Sequence, residues 1–318
     1  MKRRTLIAAS LAALPAGRAF AAEHTIGWIS PETRETTTPF FTAFKAGMLA
    51  HRGGDQVRIL DRYVETGADD MAKTVALLQQ QGVSLIVAQG TATPVVVRLK
   101  PAVPIVFAIS ADPVVAGVVQ SLARPGGNAT GITFMSVELN PKRIDLLRAA
   151  LPACRKVGLL SNSTHSGEEK EIVACQQAVE RSGVEMSVYR ANGASEVLPA
   201  VGRALDDGIQ ALNVLPSSSM VRQAPAITAQ CLARKVPVVS GWASIAHSGA
   251  LLTYGPNLGE AYKRLASYVM RVLGGAPANS LPIEQPTVLE LVINMKTAQA
   301  LGITLPPTLL AQANEIIE

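Results

Sequence analysis

Six short apolar runs in this sequence end on small polar residues: Ser30, Gly90-Thr91, Ser110 with Asp112, Ser161-Asn162, Ser217-Ser218-Ser219, and Ser240 through Trp242. Hydroxyls, an amide and backbone N–H groups at such ends are equipment for holding a polar or anionic group, not for breaking a bond. Any one Ser or Thr among them has an alternative role as a helix N-cap; six rims of one kind point to a binding site. The candidate ligand contacts are Ser30, Gly90, Thr91, Asp112, Asn162, Ser217, Ser218 and Trp242. Two of these stay open between roles. Asp112-Pro113 also reads as a cap followed by a first helical residue, and Trp242 offers either a face for a ligand or core packing. Thr93-Pro94 is the better cap pair in its region, which leaves Thr91 for the site.

Catalytic constellations are missing. No GxGxxG follows the first apolar run, and there is no Walker A sequence and no GxSxG elbow. His24, His51, His165 and His247 are scattered, and none forms an HExxH pair. Cys154, Cys175 and Cys231 have no metal-ligand spacing, and two of them fall in expected helices as buried thiols. No catalytic residue, metal or cofactor is therefore expected, and an enzyme is not the reading.

The elements that would position the rims alternate β and α. Strands are expected at Thr25–Ile29, Val57–Val64, Leu85–Ala88, Ile105–Ile109, Lys156–Leu160, Glu185–Tyr189, Ala211–Leu215 and Pro237–Ser240. Helices with apolar 3.6-residue periodicity are expected at Pro39–Arg52, Ala68–Gln80, Glu168–Ser182 and Glu196–Asp207. Such alternation implies parallel sheets covered on both faces. The halves also repeat: Tyr63 and Gly67-Ala68 match Tyr189 and Gly193-Ala194 at one offset, and Gly82-Val83 matches Gly208-Ile209. The expected fold is α/β with two similar Rossmann-like lobes, and ligands in such sheets bind beyond the carboxyl ends of the strands.

Composition agrees. A chain of 318 residues with 48% hydrophobic and 17% charged residues has material for two cores, and with 4% aromatics those cores are aliphatic. Residues 1–21 read as an export signal: Lys2, Arg3 and Arg4 are the basic start, Leu6 to Leu14 the apolar stretch, and Ala19-Phe20-Ala21 the small-x-small cleavage pattern. The stretch is shorter than the ~20 apolar residues a bilayer span needs, and no Cys stands at the cut for a lipid anchor. Four of the 29 basic residues leave with the signal, so 25 face 24 acidic ones in the mature chain. That balance, with no basic cluster, argues against nucleic acid as a partner.

Longer stretches carry a resemblance. Ile105 to Leu122 reads IVFAISADPVVAGVVQSL and runs into ARPGGNATG ending at Gly131; LLTYGP begins at Leu251, LPIEQP at Leu281 and LVINMKTAQALGI at Leu291. From about Thr25 to the C-terminus the chain resembles the ABC transporter substrate-binding proteins of the tryptophan/tyrosine type. The resemblance implies the type 1 periplasmic-binding architecture with three crossings between lobes, near Thr133–Met135, Leu252–Gly255 and Pro282–Gln285. Lobe 1 would be 23–133 plus 255–281 and lobe 2 134–254 plus 282–318, with helix Leu258–Leu273 on lobe 1 and strand Leu289–Asn294 in lobe 2. It further implies a monomeric periplasmic protein without a membrane anchor, which hands a small molecule, an amino acid or related carboxylate, to an ABC permease and its ATPase. A sensor that docks on a membrane receptor is the alternative. In this family the rim at Thr91 takes the ligand's carboxylate and Asp112 faces its amine, with Asn162 on the matching rim. Gly90-Thr91-Ala92-Thr93 departs from the family's usual Gly-Thr-Pro-Ala, and the loop after Leu215 is Ser-rich where relatives carry Asp.

Overall fold

The computed structural model describes residues 23–318 apart from 52, 54, 65–67, 135 and 181–182. The expected export signal lies outside the described residues. The first half runs β1 (Glu23–Ser30), α1 (Arg34–His51), β2 (Gln56–Tyr63), α2 (Ala68–Gln80), β3 (Leu85–Gln89), α3 (Ala92–Arg98), β4 (Ile105–Ile109) and β5 (Ala129–Thr133). The second continues α4 (Ser136–Ala150), β6 (Lys156–Asn162), α5 (Glu168–Glu180), β7 (Glu185–Ala191), α6 (Val197–Asp206), β8 (Ala211–Val214), α7 (Ser218–Ala233), β9 (Val238–Ser240) and α8 (Ala243–His247). Then come β10 (Leu252–Pro256), α9 (Leu258–Leu273), β11 (Leu289–Asn294), α10 (Met295–Leu301), α11 (Pro307–Leu310) and β12 (Glu315–Ile317).

Two sheets result, and they are the cores of two Rossmann-like lobes. The first has the order β2-β1-β3-β4-β5 and is parallel throughout; the second has β12-β11-β10-β9-β8-β6-β7, with β10 and β11 antiparallel. Side chains alternate across a strand, and the first sheet uses both faces. Ile26, Trp28, Leu85, Val87 and Val106 face α1 and α9, while Ile29, Ile86, Ala88, Ile105 and Phe107 join Met71, Val75 and Leu78 of α2 on the other side. Continuous apolar runs such as LIVAQ and IVFAI, buried at every residue, are what two covered faces require.

The lobes exchange chain. After β10 in the second sheet, α9 returns to the first lobe and packs on α1, so closely that a Cβ added at Gly47 would come within 2.8 Å of Ala266 Cβ. The backbone pairing shows where chain passes between the sheets. β10 stays in the second sheet through Pro256, opposite Leu289, and Asn257 then caps α9 by accepting from Glu260 N. Ile283 and Glu284 remain with the first lobe: Ile283 N donates to Leu122 O (2.7 Å), Glu284 N to Gly131 O (3.0 Å), and Thr133 N to Glu284 O (3.0 Å). The reason is the edge of β5, whose backbone groups would otherwise lack partners. Helix α1 begins five residues before Pro39, because Thr33 supplies its cap through Oγ1 to Thr36 N (3.4 Å).

Candidate functional site

The carboxyl ends of the two sheets face each other, and the cleft between them holds two adjoining compartments. The first is walled by Phe40, Phe134, Trp242 and Tyr262, with Gln89 and Ser110 from strand ends. Phe134 meets Trp242 edge-on at 6.2 Å between centroids and Tyr262 at 6.0 Å, while Phe40 stacks on Tyr262 at 5.3 Å. Burial, with Glu32 nearby, pushes the Tyr262 hydroxyl well above its ordinary pKa, so this wall is uncharged. The second compartment is polar: Thr91 from the first lobe faces Asn162, Thr164, Ser219 and Arg222 of the second. Pro31, Glu32 and Ser218 line both compartments and form the junction between them.

The rims contribute unequally. Gly90 has φ +49, and a Cβ there would lie 3.0 Å from Ser218 Oγ of the opposite lobe, so its missing side chain lets the rims approach. Thr91 precedes α3 and makes no side-chain cap bond, and it lines the polar compartment. Thr93 is no cap; it is buried inside α3 and donates to Ala88 O (3.1 Å), because the helix already starts at Ala92. Asn162 donates through Nδ2 to Ser219 Oγ (2.9 Å) and accepts from Thr164 N (3.1 Å) and Oγ1 (2.9 Å), which shapes its own wall of the cleft. Ser218 lies at the start of α7, and Trp242 is almost entirely buried behind the aromatic compartment.

Three expected contacts are directed elsewhere. Ser30 is fully buried, with Oγ 2.9 Å from Thr37 Oγ1 and accepting from Glu32 N (3.2 Å), so it organises the β1–α1 loop beneath the cleft. Ser217 is buried beside Ser219 (Oγ to Oγ 3.1 Å) and lines neither compartment. Asp112 also lines neither. Its Oδ1 accepts from Val114 N (2.9 Å) and Val115 N (3.4 Å), and Oδ2 pairs with Lys170 across the lobes at 3.1 Å. Burial opposes its charge, but Lys170 and the two amides outweigh it and hold the carboxyl below its ordinary pKa. The segment it caps is a run of turns, with Ala116 N donating to Asp112 O (2.9 Å), where a helix was expected.

Sequence reasoning missed Glu32, Phe40, Gln89, Phe134, Arg222 and Tyr262. Glu32, two residues past a rim already marked, carried the one usable signal. The cysteines are free and buried, and burial pushes the thiols of Cys175 and Cys231 up to about 12, which makes them poor nucleophiles. Among the described residues no group of three His, Cys, Asp or Glu could hold a metal ion, and no helix is long and apolar enough to cross a membrane.

Two parallel-sheet lobes that face each other across this cleft define a binding protein of the type 1 periplasmic-binding architecture. A family model described as ABC transporter substrate binding protein matches residues 48–317, and the chain belongs to that family. Among curated relatives, the tyrosine-binding protein of Clostridioides difficile (strain R20291) is 25% identical over 200 residues, which is 63% of this chain and only 57% of that relative. Among solved structures, the ABC domain of Streptococcus pneumonia in complex with L-Trp superposes with a TM-score of 0.86 at 22% identity, covering 93% of this chain and all of that one. The ligand-free, open structure of a substrate binding protein with adhesive properties from Clostridium difficile has a TM-score of 0.67 at 19% identity, covering 92% of this chain and 99% of that one.

Proposed function

We propose that this chain is an exported solute-binding protein that holds an aromatic amino acid, or a closely related aromatic carboxylate, in the interlobe cleft and delivers it to an ABC importer. The observation that carries the reading is the junction itself: an aromatic compartment opening directly into a polar one. A ligand must then be apolar at one end and polar at the other. An aromatic side chain buries about 150–250 Å², which at ~25 cal/mol per Å² supplies on the order of 4–6 kcal/mol before ordering costs. The polar compartment contributes orientation. The relatives, a tyrosine-binding protein and an ABC domain in complex with L-Trp, point the same way.

Export follows in this reading from the signal at residues 1–21, cleaved after Ala21, which makes the periplasm the working compartment. Permease and ATPase are the partners that the family description suggests. The protein binds and releases its ligand unchanged. Native mass spectrometry of freshly purified protein tests the reading: the bound species has the mass of an aromatic amino acid or its carboxylate analogue. A bound sugar, or a bound aliphatic acid, overturns it.

A further inference from the structure

Arg143 of α4 is a cation buried to 1% exposure, and it lines neither compartment. Its guanidinium reaches in two directions: Nε donates to Tyr254 O (2.8 Å) and Nη1 to Asn140 Oδ1 (2.6 Å). Nη2 has no hydrogen-bond partner and lies against Gly241 and Gly255. A Cβ added at Gly241 would stand 2.5 Å from Nη2 and 2.7 Å from Pro216 Cγ, and one at Gly255 would strike Gly241 O. Neither glycine has a positive φ, so both answer to a lack of room and not to backbone conformation. The loop before α7, the loop after β9 and strand β10 thus meet around one guanidinium.

Those segments are the floor of the second lobe and the way out of it. Gly241 adjoins Trp242 of the aromatic wall, and Pro216 adjoins the rim at Ser217-Ser218. Each of the three passages between lobes is tied to Arg143. The first leaves β5 at Thr133 and enters α4 at Ser136, on the helix that carries Arg143. At the second, β9 ends at Ser240 opposite Thr253; beyond it the Tyr254 carbonyl accepts from Arg143, just before Asn257 opens the return to the first lobe. The third, β11, is paired to the same stretch of β10, with Leu289 opposite Pro256 and Asn257 N donating to Val288 O (3.0 Å).

We propose that Arg143 is the positioning residue of the interlobe hinge: its guanidinium pins the second passage to α4 and to the floor of the second lobe, and so fixes the angle at which the lobes meet. The role goes beyond the proposed function, because it holds whatever the cleft binds. Arginine suits it through its planar fork, which donates to Tyr254 and Asn140 at once; an ammonium lacks that fixed geometry. Without Nε the buried Tyr254 carbonyl would lose its partner at the point where the chain turns toward the first lobe. Burial pulls the guanidinium down to about 10, against Glu171, Cys175 and Tyr254, so it stays charged at neutral pH. Stability alone does not call for a charge here. Both bonded partners are neutral, and burial keeps Glu171 protonated up to about 8, so an apolar side chain of similar length strands no opposite charge.

The test measures the distance between the lobes with no ligand present. Spin labels go on Leu77→Cys of α2 and Leu232→Cys of α7, exposed positions in opposite lobes, while the native cysteines are buried. Pulsed electron resonance on the labelled protein is expected to give a narrow distance distribution with Arg143 in place. Arg143→Met and Arg143→Ala are expected to broaden and shift it, with the thermal midpoint of Arg143→Met retained. Millimolar guanidinium is expected to restore the narrow distribution in Arg143→Ala and to do nothing in Arg143→Met, where the space is filled. Titration with L-tyrosine is expected to show an affinity loss of about ten-fold or more in Arg143→Met, the worth of one hydrogen bond to a charged group. An unchanged distribution in folded Arg143→Met overturns the proposal, as does a shift in Arg143→Ala that guanidinium does not reverse. If Arg143→Ala does not fold, Arg143→Met decides; if neither folds, Arg143 serves stability alone and the proposal falls. A wild type that binds no aromatic amino acid overturns the reading of the cleft and leaves the distance measurement to decide the hinge.

Discussion

Ser110 Oγ lies 2.8 Å from His165 Nε2, and the two residues belong to different lobes. His165 Nδ1 accepts from Gly167 N at 3.3 Å, and burial depresses the imidazole pKa to about 4. The ring is therefore neutral at ordinary pH with its proton on Nε2, donating to Ser110. Ser110 also lines the aromatic compartment, so this bond ties the two lobes together at the edge of the cleft.

Ser110→Ala removes the acceptor and leaves a buried N–H unpaired in the closed form, at about 1–3 kcal/mol. Opening relieves that penalty, so the cost falls on binding. Affinity measured by calorimetric titration should drop at least about five-fold. An unchanged affinity would show that this bond contributes nothing to closure.

Asp112→Asn is expected to change little. Asn keeps an oxygen for the Val114 and Val115 amides and loses only the pair with Lys170, in which Asp112 is 33% and Lys170 53% exposed. Such pairs are worth about 0–1 kcal/mol, so affinity should fall by less than about five-fold. A loss of thirty-fold or more in the same titration would return the ligand's amine to Asp112.

Glu171 gives the protein a pH signature. It is buried in the second lobe, 3.7 Å from His165, and burial raises its carboxyl to about 8 against the pull of Arg143, with Glu168 and Glu138 pushing the same way as burial. Between 4.5 and about 8 the folded chain thus keeps a proton that the unfolded chain has released, and stability falls as pH rises through that window. His165 works in the opposite sense. The unfolded chain binds its proton between about 4 and 6.5 and the folded chain does not, so its contribution to stability rises with pH there. The two offset each other below 6.5, leaving the Glu171 loss exposed above it. The thermal midpoint should decline from pH 6.5 to 8 in the wild type and less in Glu171→Gln. Parallel profiles would contradict this.

Export predicts a mature N-terminus at Ala22. N-terminal sequencing of material secreted by the native host reads it directly, and recovery of residues 1–21 on that material would contradict the signal assignment.

Strand positions were legible because Leu85–Gln89 and Ile105–Ile109 are uninterrupted apolar runs closed by small polar residues. The aromatic wall was not. Phe40 and Tyr262 sit on helices, where their spacing is that of any buried residue. Ser30 and Ser217 were overvalued for a related reason: a rim residue turns toward the cleft or beneath it according to the path of the loop, which residue type alone does not encode. Strand β5 escaped notice because Gly131 and two threonines dilute its apolar character.

The central claim, that the cleft recognises aromatic amino acids, is tested most directly by titrating ligand-stripped wild-type protein with L-tyrosine, L-tryptophan and L-phenylalanine beside L-leucine, L-glutamate and a pentose. The account predicts saturable one-to-one binding of at least one aromatic amino acid, tighter by about a hundred-fold or more than any other probe, as a filled aromatic cage worth ~3 kcal/mol implies. Equal or tighter binding of leucine, glutamate or the pentose would contradict it.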